Sequence, residues 1–212
     1  MEEAGQESTK QAWHLGPIPA WASVLGLVVS VLAICGITIS LRRHESEGDK
    51  FSHVKELVAE AKNIFEDKAE PSEAMRIQKG STFCNQALDV AKSMGDASPR
   101  VGAYCAIATL LAPYNKSLTL DNATDIPGIT NPFEAAKYVA ERLIRDPRDK
   151  MKAYEYLIDE KVQTLGCSEA RDWLAKGIAF AKGSTSDSVE ADSLVKELVG
   201  STKRDLDSCK GQ

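Results

Sequence analysis

The sequence predicts an all-α protein in which one N-terminal transmembrane helix is followed by a bundle of about seven antiparallel helices. Residues 21–41 contain no charged residue. Beyond residue 50, apolar residues recur every three or four positions, which is the pattern of an amphipathic helix. No stretch alternates apolar and polar residues with a period of two, as a half-buried strand would.

These patterns divide the chain into four parts. Residues 1–20 form a short tail outside the membrane, residues 21–41 the transmembrane helix, and residues 42–50 a charged linker. Residues 51–212 form a helical-hairpin domain that contains a long loop at 113–131. That loop has no helical periodicity, and loops of such length are often functional or disordered.

The apolar segment 21–41 has the length of a membrane span. A helix over these residues would be about 31 Å long at roughly 1.5 Å per residue, which matches a bilayer's hydrocarbon thickness of about 30 Å. A cleaved signal peptide would have a basic leading region and a shorter apolar run. The leading residues carry three acidic residues and one lysine, so we expect the helix to remain as an anchor in the lipid bilayer.

Small residues lie four positions apart within this span, at Ala22, Gly26 and Ser30. On a helix this spacing places them on one face, where they allow a second helix backbone to approach closely. The pattern predicts a transmembrane packing surface and therefore another membrane protein as a partner.

Basic residues next to the span predict its orientation. Arg42 and Arg43 follow it directly, whereas Lys10 is the only basic residue on the N-terminal side. Because basic residues favour the cytosolic side, the N-terminus is predicted outside and the C-terminal domain in the cytosol.

Two features favour the opposite orientation. Asn115 and Asn122 each begin a glycosylation sequon, which matters only in a lumenal domain. Four cysteines also follow the span and could pair in an oxidising compartment: Cys84, Cys105, Cys167 and Cys209. Four cysteines are too sparse for a disulfide scaffold, and we expect Cys84 and Cys105 to be buried as small apolar residues. We therefore give the arginines more weight than the sequons and the cysteines, and predict that the domain is cytosolic.

Seven apolar stripes follow the linker, and each predicts a helix that needs a neighbour to cover it. The stripes run over residues 54–65, 77–94, 101–111, 133–143, 151–165, 170–181 and 191–199. Three polar residues before prolines are predicted to cap helix starts, namely Ser98, Asn131 and Asp146. Three glycines are predicted at helix ends, namely Gly95, Gly166 and Gly183.

An internal similarity links three of the helical segments. The stretch "ALDVAKSMGDASPRVGAY" (87–104) is similar to "AKYVAERLIRDPRDKMKAY" (136–154), and "GIAFAKGSTSDSVEADSL" (177–194) is similar to the first. The first stretch resembles a hairpin of the tetratricopeptide-repeat family, although the copies lie farther apart than that family's period of roughly 34 residues. The resemblance implies an α-solenoid of stacked hairpins with a concave face suited to protein partners.

The sequence predicts no catalytic residue, cofactor site or metal site. Only three histidines are present, and no cysteine pair has zinc-ligand spacing. Acidic residues such as Asp159 and Glu160 are predicted as solvated surface, and Trp173 as a core residue. The 26 basic residues nearly balance the 31 acidic ones, which argues against a nucleic-acid-binding domain.

These observations favour a non-enzymatic, single-pass membrane protein that acts as an interaction or scaffold subunit and holds a partner protein at the membrane. One alternative is a lumenal or periplasmic assembly factor with the opposite topology. Another is an enzyme whose helical active site has no recognisable motif.

Overall fold

The computed structural model describes residues 46–69, 72–95, 97–114 and 124–209. Within these ranges all regular secondary structure is helical, which confirms the predicted all-α class. Within the same ranges, no helix has the length and apolar character of a membrane span. The predicted transmembrane segment 21–41 lies outside the described residues. The chain consists of two units, and the boundary between them lies between His44 and Glu45.

Seven α-helices lie in the described ranges, one for each predicted stripe. They are α1 (Glu47–Glu66), α2 (Glu73–Lys92), α3 (Ser98–Leu111), α4 (Pro132–Tyr138), α5 (Pro147–Gln163), α6 (Cys167–Ser184) and α7 (Ser188–Ser208). A 3-10 turn (Ala112–Tyr114) extends α3, and a π-helical segment (Val139–Leu143) extends α4.

Helix α3 lies at the centre of the domain and contacts α1, α2, α4 and α5. On one side of it, α1 packs along α2; on the other, α5 packs along α6 and both contact α7. Most of the α3 side chains are buried, as expected for a helix that is apolar on nearly every face. The order of contacts places α3 between α1 and α5.

The core contains most of the residues that the stripes predict, with two exposed exceptions. Cys84, Cys105 and Trp173 are buried as expected. Leu165 and Val199, which the stripes include, are exposed, and Leu165 has 70% of its surface accessible. Leu165 lies beyond the end of α5, where the helical periodicity no longer determines which way a side chain points.

Two of the three predicted caps are confirmed. The side chains of Asn131 and Asp146 accept backbone N–H bonds at the starts of α4 and α5. The prediction for Ser98 is wrong, because Ala97 is the capping residue and Ser98 is the first, buried residue of α3. Helix α1 begins within the predicted linker, where Ser46 and Asp49 form a reciprocal capping box.

The prediction for the three glycines holds only in part: Gly95 and Gly166 lie within three residues of the ends of α2 and α5, but neither has the left-handed backbone expected there. Gly183 lies inside α6, and among the described residues only Leu165 and Gly128 have positive φ angles, 63° and 79°. Leu165 takes the left-handed position one residue before Gly166, whose N–H donates to the Lys161 carbonyl at 2.7 Å. Gly166 is thus free to serve as the N-terminal cap of α6, so that the turn between α5 and α6 is very short.

Candidate functional site

A groove of about 530 Å³ lies above α3, between α1 and α5. We call it the α3 groove. Its floor is formed by small side chains of α3, namely Gly102, Cys105 and Ala106. Because these residues are small, the side chains of α1 and α5 stand above them as walls. The volume falls within the range of about 300–1,000 Å³ that is typical of small-ligand sites.

Aromatic rings from the two walls meet at one end of the groove. Phe51 of α1 contacts Tyr156 of α5 edge to face, with 5.4 Å between the ring centroids. The rings lie directly over Gly102, where an added Cβ would be 2.9 Å from the Cζ atoms of both. A larger residue at position 102 would therefore push the rings apart. The Nζ atom of Lys55 lies 4.3 Å from the centroid of the Phe51 ring, a cation–π contact.

The α5 wall contributes a buried carboxylate. Glu160 is only 5% exposed, and its Oε2 atom accepts no hydrogen bond from the described residues. Burial raises the pKa of this carboxyl above its usual range, although the charge of Lys161 and its contact with the carboxylate oppose the shift. The Nζ atom of Lys161 lies 3.6 Å from Oε2 but 3.0 Å from Glu169, so its closer partner lies elsewhere.

Glu160 is where the sequence prediction of a solvated acidic surface fails. Helix α5 contacts α3, α6 and α7, and more than one of its faces is therefore buried. Ala153, Leu157 and Glu160 are spaced by four and three residues, and all three are buried. This spacing could have indicated the burial of Glu160, because it extends a second apolar stripe of α5 to that residue.

The neighbouring acid differs from Glu160. Asp159 also lines the α3 groove, but it is only partly buried and accepts a hydrogen bond from Gln163 at 2.8 Å. On the α1 wall, Lys62 and Glu66 approach to 4.0 Å and are both 60% exposed. The rim of the groove therefore carries both signs of charge, whereas the buried charge is negative.

Neither buried thiol has the character of a nucleophile. Burial raises the pKa of Cys84 to about 11. Burial, together with the charges of Glu160 and Asp159, raises the pKa of Cys105 well above its usual range. Because the thiolate is the reactive form, both residues act as small core side chains at neutral pH.

A second polar cluster, which we call the latch, lies on α3 away from the groove and consists of Arg100, Tyr104 and Asp125. Arg100 Nη2 donates to both carboxylate oxygens of Asp125 at 2.7 Å, and the Tyr104 hydroxyl donates to Oδ1 at 2.9 Å. The Arg100 side chain is 7% exposed and that of Asp125 is 40% exposed. The latch fixes the end of the 113–131 connection to α3.

The pKa shifts of the latch follow from these bonds. Burial and the hydrogen bond to Asp125 raise the pKa of Tyr104 to about 12. Burial alone would raise the pKa of Asp125, but the bonds from Tyr104 and Arg100 outweigh it and lower that pKa. Sequence periodicity could not reveal this cluster, because Arg100 and Asp125 come from elements 25 residues apart.

A disulfide joins Cys167 at the start of α6 to Cys209 just after α7. Their Cα atoms are 5.8 Å apart, and 42 residues separate them in sequence. Cys84 and Cys105 remain free thiols. The sequence alone does not determine which cysteines pair, and the structure shows one pair, Cys167 with Cys209.

The sites predicted from the sequence lie outside the described residues. This holds for the packing residues Ala22, Gly26 and Ser30 and for the two arginines that predict topology, Arg42 and Arg43. It also holds for both sequon asparagines, Asn115 and Asn122. Within the described residues, no group of three or more His, Cys, Asp or Glu side chains could hold a metal ion.

Comparison with known proteins does not identify a family for this chain. No protein-family model matches the chain, and no curated protein or solved structure matches it significantly. The resemblance to tetratricopeptide repeats therefore stays a prediction, and function has to be inferred from the contacts and charges of the domain itself.

Proposed function

We propose that this chain is a non-enzymatic, single-pass membrane protein whose helical domain holds a partner protein at the membrane. The observation that carries the proposal is the α3 groove, which has a floor of small residues and charged residues along its rim. Grooves between helices are a common way for a folded domain to receive a segment of another protein.

The membrane part of the proposal rests on the sequence of residues 21–41. An uncharged segment of this length satisfies its backbone hydrogen bonds within one helix and can therefore remain in lipid. Within that helix, Ala22, Gly26 and Ser30 would form the face that contacts a second transmembrane helix.

A helical-repeat architecture of the tetratricopeptide type is part of the same proposal. Support comes from the pairing of helices that are consecutive in sequence, since α1 packs along α2, α5 along α6, and α6 along α7. Stacked pairs of this kind produce extended surfaces for protein partners.

The orientation has two candidates. Arg42 and Arg43 favour a cytosolic domain. A lumenal or periplasmic domain that acts as an assembly factor is the second candidate, and the Cys167–Cys209 disulfide supports it. Disulfides persist in oxidising compartments and are rare in the cytosol, so we give this bond more weight than two flanking arginines.

Protease treatment of sealed vesicles separates the two orientations. A lumenal domain in right-side-out microsomes is protected from added protease, and it migrates faster on a gel without reductant than with it. A cytosolic domain is digested under the same conditions. A glycan on Asn115 or Asn122, removed by a glycosidase, would independently support the lumenal placement.

Affinity purification of the full chain in mild detergent tests the partner-binding role. Ala106→Trp would fill the floor of the α3 groove, whereas Ala59→Trp places the same side chain at an exposed position of α1 outside the groove. We expect a co-purifying protein that is retained by wild type and Ala59→Trp and lost with Ala106→Trp. Identical sets of co-purifying proteins for all three would contradict the proposal.

A further inference from the structure

One large apolar side chain projects from the domain on a backbone conformation that disfavours it. Leu165, in the turn between α5 and α6, is 70% exposed and has a φ of 63°. Glycine usually occupies this left-handed region at a helix end, because the Cβ of a larger residue is crowded there. Gly166 is the next residue, yet Leu165 takes the left-handed position. Unfavourable conformations of this kind are concentrated at functional sites, so Leu165 is a candidate contact residue.

The turn that carries Leu165 is fixed by hydrogen bonds and by the disulfide. The N–H of Leu165 donates to the carbonyl of Val162 at 3.2 Å, and that of Gly166 donates to the carbonyl of Lys161 at 2.7 Å. The disulfide follows two residues after Leu165, at Cys167. A group that is held in place before binding loses little conformational entropy on binding. Leu165 is therefore a pre-positioned apolar side chain that a protein contact could bury.

The α3 groove lies beside this turn and is a recess suited to such a side chain. Gln163, two residues before Leu165, lines the groove together with Pro113 and Tyr114. The groove measures about 530 Å³, and Ala106 forms part of its floor. Leu165 does not line the groove of its own chain. When a projection and a recess lie next to each other, a two-fold axis between two copies can place each projection in the recess of the other.

The charges of the groove favour a second copy over a partner that carries charges of one sign. The α1 wall presents Lys55 and Lys62, whereas the α5 wall presents Asp159 and Glu160. A strongly anionic or strongly cationic partner would be repelled by one of these walls. A two-fold contact requires a surface that is complementary to itself, and two such grooves can set the basic wall of one copy against the acidic wall of the other.

We infer that the partner received by the α3 groove is a second copy of this chain, in a reciprocal contact that places Leu165 of each copy in the groove of the other. The leucine would lie over Ala106 and beside Tyr114. Its removal from water would offset the cost of exposing a leucine on a left-handed backbone. This inference rests on the proposed function, because it identifies the partner that the domain holds.

Sedimentation equilibrium of the full chain in density-matched detergent tests the role of Leu165. Leu165→Gly removes the side chain and suits the left-handed backbone, so folding is preserved. We expect the dissociation constant of the dimer to rise at least about tenfold, because two leucine side chains leave the contact. Contacts between membrane segments are the same in every variant and do not affect this difference.

Val189→Ala is the matched control, because Val189 is 75% exposed but lies in the first turn of α7, beyond the opposite end of α6. It should leave the dissociation constant unchanged. A wild-type chain that is monomeric at every concentration, or a Leu165→Gly variant with wild-type affinity, would overturn the inference.

A photo-crosslinker at position 165 tests where the side chain binds. With p-benzoylphenylalanine in place of Leu165, and one of two mixed copies labelled with 15N, we expect crosslinks between copies to the groove residues Ala106 and Tyr114. Crosslinks to lipid, to another protein or to a surface outside the groove would contradict the reciprocal contact.

The purification experiment with Ala106→Trp separates this inference from the proposed function. If the wild-type chain is monomeric while Ala106→Trp still releases a different protein, only this inference fails. If Ala106→Trp releases neither a second copy nor any other protein, the groove receives no partner and the proposed function fails as well.

Discussion

The latch and the α3 groove each contain a carboxylate, and the two carboxylates differ in their hydrogen bonds and in the direction of their pKa shifts. Asp125 in the latch receives bonds from Arg100 and Tyr104, which lower its pKa. Glu160 in the groove is more deeply buried, and its burial raises its pKa. A fully bonded polar network stabilises a fold, whereas a buried carboxylate with an oxygen that lacks a hydrogen bond is costly. The comparison therefore separates a cluster that stabilises the domain from a carboxylate that costs it stability.

The largest expected effect comes from the disulfide, which tests whether both regions belong to one cooperative unit. Closing a loop of 42 residues stabilises a protein by about 4 kcal/mol in the chain-entropy estimate. We expect Cys209→Ser to lower the free energy of unfolding by that order, measured by circular dichroism during chemical denaturation of the full chain in detergent. The amide signals of Arg100 and Glu160 should disappear together. Loss of the Glu160 signal alone at lower denaturant would place α5 and α3 in separate cooperative units.

The second effect concerns the latch. Replacing Arg100 by Leu leaves the buried hydroxyl of Tyr104 and the carboxylate of Asp125 without their cation. Removing one partner of a buried pair costs about 3–5 kcal/mol, and we expect the lower end because Asp125 is 40% exposed. Thermal unfolding followed by circular dichroism checks this value.

A control distinguishes loss of the latch from general damage to α3. Thr109→Ala also removes a polar group from α3, at a half-buried position in the groove, and should change the free energy of unfolding by less than about 1 kcal/mol. Equal losses in Arg100→Leu and Thr109→Ala would mean that the latch contributes nothing specific.

The third effect has the opposite sign and belongs to the groove. Glu160→Gln removes a buried charge whose Oε2 atom accepts no hydrogen bond from the described residues, and we expect it to stabilise the domain by about 1 kcal/mol at pH 7. Thermal unfolding at pH 7 measures the change. Destabilisation by a similar amount would show that Glu160 has a stabilising partner and would remove the contrast with Asp125.

The sequence predicts the helices of this domain better than it predicts either polar region. Apolar periodicity identifies all seven helices, and Asn131 and Asp146 mark two starts because a cap is a local interaction. Glu160 is predicted as solvated although the spacing of Ala153 and Leu157 extends a second apolar stripe to it, because only the neighbours of α5 determine that this stripe is covered. The pairing of Cys167 with Cys209 is likewise not predictable from a local pattern. Four cysteines allow three connectivities, and only the packing of α6 with α7 selects one of them.

The smallest expected effect is the pH dependence, and it sharpens the comparison because the two carboxylates should give opposite slopes. The lowered pKa of Asp125 in the folded state contributes stability above its unfolded value, near 3.9, and that contribution is lost as the pH falls through the folded pKa. The raised pKa of Glu160 contributes stability below its unfolded value, near 4.3. That contribution is lost as the pH rises through the folded pKa. We expect Asp125→Asn to flatten the stability profile below about pH 4, a small effect because the side chain is 40% exposed and is screened by solvent. Glu160→Gln should instead flatten it above about pH 4.3, where ionisation begins.

Thermal unfolding of wild type and both variants at closely spaced pH values measures the slopes. Variants that both change the same pH range, or that change the slope in the same direction, would show that the latch and the groove do not differ in the way their hydrogen bonds indicate.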